Sequence, residues 1–178
     1  KALARDTEFE LIRQTSAGGS ARQLTGLNSA ITTNTSTAGA SRDLIETLYN
    51  DNLQTIFDSG GNPNITLCNG FQKRQISAFG GPTNTQRNIE LGARALVNSI
   101  DRYDSDFGAQ TIIIDRHLNS DRILQLEMAL IKIAVLRNTK HYPLPDDGGG
   151  PRGMIEHELT LVYGSEAAHG EILNLTTS

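Results

Sequence analysis

The spacing of apolar residues changes along this chain, and each change predicts a different element. From Ala2 to Ile12, Leu3, Phe9 and Ile12 give one side of an amphipathic helix. The Gly18-Gly19 pair ends it by supplying positive φ without a Cβ penalty. From Ser16 to Ala40 the chain turns polar, and it reads as loop crossed by a short ordered piece at Leu24, Leu27 and Ile31. Ser41 is placed to cap a helix carrying Leu44, Ile45, Leu48, Leu53, Ile56 and Phe57 on one side, closed by Gly60-Gly61 and Pro63. Ile65 to Cys68 then predicts a short buried strand, and Gly70 to Phe79 a short helix ended by Gly80-Gly81-Pro82.

Beyond Arg94 the period shortens to that of strands: Ala95 to Tyr103, Gln110 to Asp115, Arg122 to Glu127 and Ile131 to Leu136. Asp106-Phe107-Gly108 is the turn between the first two, and an antiparallel meander fits the set. The run His141 to Pro151 is so rich in Pro, Gly and Asp that it reads as an irregular loop between subdomains. Met154 to Tyr163 alternates Ile155, His157, Leu159, Leu161 and Tyr163 against Glu156, Glu158, Thr160 and Val162, the pattern of a long, half-buried strand. The helix, strand and helix from Ser41 to Phe79 together read as the centre of an α+β subdomain.

Composition narrows the function classes. At 178 residues the chain can bury roughly 70% of its unfolded surface without staples. The single cysteine, Cys68, excludes an internal disulfide and a cysteine metal site, and reads as a small buried apolar residue. A net charge of −4 with dispersed Lys and Arg argues against a dedicated nucleic-acid or anionic-membrane binder, leaving room only for a local patch. The longest apolar run, Met128 to Leu136, is broken by Lys132 and too short to span a bilayer. There is no signal-peptide pattern, so the sequons at Asn34, Asn64 and Asn174 read as by-products of Asn and Thr content. The first residue is Lys1 and the helical pattern has already begun, as in a processed or partial chain.

Candidate chemistry is sparse. Gly148-Gly149-Gly150-Pro151-Arg152-Gly153 satisfies the spacing of a dinucleotide fingerprint. That fingerprint works between a strand and a helix, whereas here a Pro-rich loop precedes and a strand follows, so the segment reads as a flexible loop. His157 and His169 approach each other if the chain turns back at Gly164, with Glu156 or Glu158 to complete a metal site on paper. Their spacing matches no compact ligand pattern, and they read as surface or strand-packed histidines, as do His117 and His141. No nucleophile elbow occurs, and Asp104 with Asp106, and Asp146 with Asp147, lie in turn-like sequence that favours Asp for backbone bonding. Arg5, Arg13, Arg22, Lys73, Arg74, Arg87 and Arg94 have no interleaved aromatics and read as solvated faces or partners for carboxylates on neighbouring subunits. No catalytic, cofactor-binding or metal residue is assigned.

One resemblance covers the whole chain. A helix with Glu8 near its end, Leu24 to Asn34, Gly60-Gly61, Tyr103 to Gly108, Arg137, Glu158 to Leu161 and Glu166 to Gly170 follow in the order and spacing of a known family. The chain resembles the major head (major capsid) proteins of tailed bacteriophages, in particular the podovirus-type family with the Hong Kong 97 capsid fold. The resemblance implies an α+β subunit with a peripheral domain, built on a spine helix and a long-stranded sheet, and an axial domain around the capsomer axes. Residues 1–27 would be the peripheral end of the spine helix, 28–140 the axial domain, 141–165 a peripheral loop and long strand, and 166–178 a C-terminal axial segment. Family members carry an N-terminal arm and an extended loop before the spine helix, which this chain lacks, and Asp146-Asp147 with a glycine run replaces an expected basic segment near Leu144. The implied role is a non-enzymatic shell subunit without cofactor, assembled in the host cytoplasm and resident in the virion. Its partners would be copies of itself in hexamers and pentamers, scaffolding, portal and decoration proteins, and packaged DNA held non-specifically, with no membrane. Two alternatives remain: a bacterial nanocompartment shell of the same fold, and a small enzyme binding a phosphorylated ligand at Gly148 to Gly153 with His157 or His169 as acid or base.

Overall fold

The computed structural model describes residues 2–14, 24–79, 101–146 and 148–177. Among the described residues four helices, α1 (Ala2–Arg13), α2 (Leu27–Ala30), α3 (Glu46–Asp58) and α4 (Gly70–Ser77), pack with eight strands. The strands are β1 (Thr35–Ser36), β2 (Ile65–Cys68), β3 (Arg102–Ser105), β4 (Gly108–Ile114), β5 (Ile123–Leu126), β6 (Ile131–Leu144), β7 (Arg152–Tyr163) and β8 (Gly170–Ile172). Six of them form a mixed sheet in the order β1-β8-β5-β2-β4-β3, while β6 and β7 form a separate antiparallel ribbon.

Each face of the six-stranded sheet carries its own core. Tyr49 and Leu53 of α3, Ile76 of α4, and Cys68, Ile112, Ile123 and Ile172 of the sheet close one face. Ile12, Leu27 and Ile31 meet Leu118, Leu124 and Leu126 on the other, joined by the partly buried Leu67, Ile131 and Leu161. Alternation along β2 and β5 distributes their side chains between the two cores, which is why all four residues of β5 are buried. Burial pushes the Cys68 thiol up to about 11 against the opposing charge of Lys73, so it behaves as a buried apolar group.

Under α3 the sheet also buries polar groups, and they satisfy one another. The Tyr49 hydroxyl lies 2.6 Å from Thr66 Oγ1, Asn52 Nδ2 donates to Gln125 Oε1 at 2.8 Å, and Gln125 Nε2 donates to the Tyr49 carbonyl at 3.3 Å. Close backbone approach fixes the end of α3: a Cβ on Gly61 would lie 2.7 Å from the Ala168 Cα, so only glycine fits beneath that segment.

Several expectations need correction. Ser41 does not cap α3, which starts five residues later at Glu46 behind Ile45. Residues 41–44 are held extended because Arg42 bridges Leu175 in parallel and exchanges backbone bonds of 2.9 Å with Asn174 and Thr176. Ile45 and Phe57, placed on the apolar side, are exposed, and the buried side is Tyr49, Asn52, Leu53 and Ile56. The meander holds only for the β3–β4 hairpin: β4 runs parallel to β2, and β5 pairs β2 and β8 rather than β4. The strand beginning at Ile131 does not stop at Leu136, and His141 to Leu144 is strand, not loop. Pro143 is tolerated there because β6 has only one neighbour among the described residues, so its missing N–H breaks no second ladder. β3 begins at Arg102, and the Ala95 to Ile100 part of its expected span lies outside the described residues, as do Gly18-Gly19 and Gly80-Gly81-Pro82.

Candidate assembly surface

Among the described residues the ribbon carries the longest exposed stretch of backbone and apolar side chains. Its two strands, of 14 and 12 residues, pair from Ile131↔Tyr163 at the root to Leu144↔Arg152 at the tip. After Ile131 every residue of β6 is exposed, and so is β7 from Arg152 to Ile155. A two-stranded hairpin is marginal in water, because neither face is covered and both edges keep half their backbone groups unpaired.

Its two faces differ. Following the register, Ile131, Ile133 and Val135 share a face with Leu159, Leu161 and Tyr163, and Lys132, Ala134 and Arg137 share the other with Glu156, Glu158 and Val162. Near the root the apolar face turns into the second core through Ile131 and Leu161, but Ile133 is 55% and Val135 48% exposed. Between Val135 and Lys140 the register shifts twice, so β6 carries extra residues against an unbroken β7. Leu136, at the first shift, is 76% exposed, the most exposed large apolar side chain among the described residues. Arg137 bridges Glu156 and, at 3.3 Å, Glu158; these ion pairs are open to solvent, so their part is to fix the shifted register rather than to add much stability. Together Leu136, Arg137, Asn138, Lys140, Tyr142 and Glu156 line an open depression on the charged face.

The tip answers the question posed by the glycine motif. Gly148 and Gly150 have positive φ, and their N–H groups donate to Asp146 Oδ1 at 3.0 and 3.2 Å. Amides that could have met a phosphate already hold a carboxylate, and the segment joins two strands with no helix behind it.

At the root, His169 ties the ribbon's entry to the body. The Glu127 N–H donates to His169 Nδ1 at 3.1 Å, next to the 3-10 turn Met128–Leu130 that leads into β6. Glu166 accepts from the backbone N–H and hydroxyl groups of both Thr32 and Thr33, and Asn34 Nδ2 donates to the His169 carbonyl at 3.1 Å. Burial works against the Glu166 charge, but the bonds from Thr33 and Thr32 outweigh it and hold the carboxyl below its usual range. His157 stays on the ribbon, 3.0 Å from Thr139 Oγ1, and is not brought to His169. Among the described residues no three His, Cys, Asp or Glu side chains gather as a metal site would require.

The sequence matches the family model described as SU10 major capsid protein over residues 1–176. This chain belongs to that family. Solved shell structures resemble this capsid-family chain as well. It is similar to the virus-like particle from Pyrococcus furiosus with a TM-score of 0.53 and 12% identity, over 96% of this chain and 62% of that one. It is similar to the holo-SrpI encapsulin complex from Synechococcus elongatus PCC 7942 with a TM-score of 0.61 and 12% identity, over 99% of this chain and 63% of that one. Likeness at such low identity shows the fold, an α+β arrangement of the Hong Kong 97 type. The capsid-family chain thus spans less than two thirds of the length of either structure. No curated protein matches it.

Within this capsid family member, the described residues singled out in the sequence are spread over the hairpin, the ribbon, its root and two helices. Tyr103 to Gly108 forms the β3–β4 hairpin, with the Tyr103 hydroxyl bonded to Glu46 and Asn50 of α3. Arg137 and Glu158 meet across the ribbon, and Glu166 to Gly170 makes the root. Arg74 and Lys73 lie on α4, where Lys73 pairs Asp101 at 3.1 Å, and Arg13 stacks on Phe9 of α1 at 5.2 Å. Arg22, Arg87 and Arg94 lie outside the described residues. Sequence reasoning missed the exposed half of the ribbon; the signal was the Ile133, Val135 and Leu136 run, which reads equally as a buried strand.

Proposed function

We propose that this chain is the structural subunit of an icosahedral viral shell that self-assembles into hexamers and pentamers and encloses packaged double-stranded DNA. The observation that carries the reading is the ribbon: a long hairpin with Ile133, Val135, Leu136 and Ile155 in solvent needs neighbours to be stable. Membership of a major capsid family supplies the neighbours, namely further copies of this chain. Its role is geometric rather than catalytic, and it acts in the virion after assembly in the host cytoplasm. Scaffolding, portal and decoration proteins complete the set of partners, and DNA contact is non-specific, in keeping with a net charge of −4.

On this reading the six-stranded body, including residues 166–177, is the axial part, and α1 with the ribbon is peripheral. Since β6 pairs with β7 along its length, we place the boundary near Leu130 rather than at residue 140. Viral use is favoured over a nanocompartment because the family model is that of a phage capsid protein, whereas the encapsulin likeness concerns fold.

Electron microscopy of native material containing this chain tests the proposal. Uniform icosahedral particles with DNA inside are expected. Small discrete molecules would overturn the shell reading, and protein-filled particles the viral one. A second test is the double substitution I133E/V135E: assembly should be lost in sedimentation while the circular dichroism of the subunit is kept, since both side chains lie outside the two cores.

A further inference from the structure

His169 is the least explained polar group in the body. Its side chain is 1% exposed, its Nδ1 accepts the Glu127 N–H, and its Nε2 finds no hydrogen-bond partner. Because Nδ1 accepts, the neutral ring must carry its proton on Nε2, a buried donor left unmatched. The backbone it holds leads through the 3-10 turn Met128–Leu130 into β6, and on the other side the residues just before it, Glu166–Ala168, follow the end of β7. One imidazole therefore stands between both roots of the ribbon.

We propose that His169 is a proton-operated latch that fixes the ribbon to the body when neutral and releases its root when charged. Protonation places a hydrogen on Nδ1, so a donor then faces the Glu127 N–H, and the bond across the root is replaced by a repulsive contact. The charged groups acting on the ring are the carboxylates of Glu127, brought to it by the fold, and of Glu166 just before it in the chain. The Glu127 carboxylate now accepts the Asn62 N–H at 2.9 Å, and an imidazolium offers it a stronger partner. From α3, Asn52 and Ile56 pack at Gly170 beside the ring and bring no charge. Burial outweighs the two carboxylates and holds the ring below the ordinary histidine range, so the latch stays closed at neutral pH.

Release is local. Met128 N still donates to Asn64 Oδ1 at 3.1 Å, and Gly164 N to the Leu130 carbonyl at 2.8 Å, so the ribbon swings on these bonds rather than detaching. The significance of the motion rests on the ribbon being the assembly surface, but the latch chemistry does not.

Hydrogen exchange of the purified subunit, corrected for the intrinsic pH dependence of amides, tests it. Between about pH 7.5 and about pH 5, protection of residues 127–131 should fall by about tenfold or more relative to β2, since opening that takes up one proton gains about tenfold per pH unit below the ordinary histidine value. H169N keeps an acceptor near the Nδ1 position without a titrating group, and its ratio between the two pH values should be flat. A flat wild-type ratio, or the same fall in H169N, would overturn the latch. Should H169N fold poorly, ring nitrogen shifts of wild-type His169 decide instead: titration in step with loss of the Glu127 amide signal supports it, and titration without that loss refutes it. Exchange reads the latch and microscopy reads the shell, so one can fail without the other.

Discussion

Single residues show where this molecule stores polar cost inside an apolar frame. Asn52 and Gln125 are both buried and each satisfies the other, so Asn52→Ala should cost about 1–3 kcal/mol by leaving Gln125 Oε1 without a donor, as read from urea unfolding. Glu171, 2% exposed, bonds Arg122 at 2.7 Å across the sheet between β8 and the start of β5. Burial pushes its carboxyl up to about 7, the Arg122 charge opposing, with Asp121 adding to the rise. A raised carboxyl pKa means the folded state holds a proton that the unfolded state has released. Stability from this group is therefore present below about 4.5 and falls as pH rises to about 7. Denaturation measured across that window should show this slope for Glu171, and E171Q, which stays neutral and still offers Arg122 an oxygen, should flatten it. His169 has the opposite sign, its contribution being lost as pH falls below the ordinary histidine value of about 6.5. None of this was readable in the sequence, where His169 and Glu171 are two polar residues among many; burial is set by α3, which approaches so closely that only glycine fits at 170.

Elements were legible in proportion to how local their causes are. α4 and β2 stand where spacing put them, because Asn69 caps the helix through its own side chain and apolar residues alternate along the strand. α3 was legible in its middle and not at its start, because a tail more than a hundred residues away holds Arg42 extended. The ribbon was legible as one strand and a half: Pro143 and the glycines suggested an end, but a strand with one neighbour has no second ladder for proline to break. Bulges on β6 and regularity on β7 make the tip depend on Asp146 for its shape. Asp146→Ala should leave the midpoint of thermal unfolding of the body unchanged and expose residues 145–151 to proteolysis, since the two bonds lost are local and exposed. An unchanged cleavage rate would show that the turn holds itself.

At the scale of the molecule there are two cores and one arm. Both cores are complete at Ile131 and Leu161, so replacing residues 134–160 by an Asn-Gly turn should leave the body's circular dichroism intact and remove assembly. Retained particles would move the assembly surface onto the body. The resemblance read from residue order named the family and the fold that the comparisons show, and it did so without any chemical site, since order and spacing survive where individual contacts are untraceable. The stitch of residues 34–42 to 166–176 has one more consequence, which concerns manufacture. β1 finds β8, Arg42 finds Leu175, and Thr33 finds Glu166 only across more than 130 intervening residues. On the ribosome, residues 33–42 must wait for residues 166–176 to emerge, and closing so large a loop is slow. A nascent chain thus lacks a finished ribbon root until residues 166–176 have been made, and fragments released before then are denied the geometry that the root supplies.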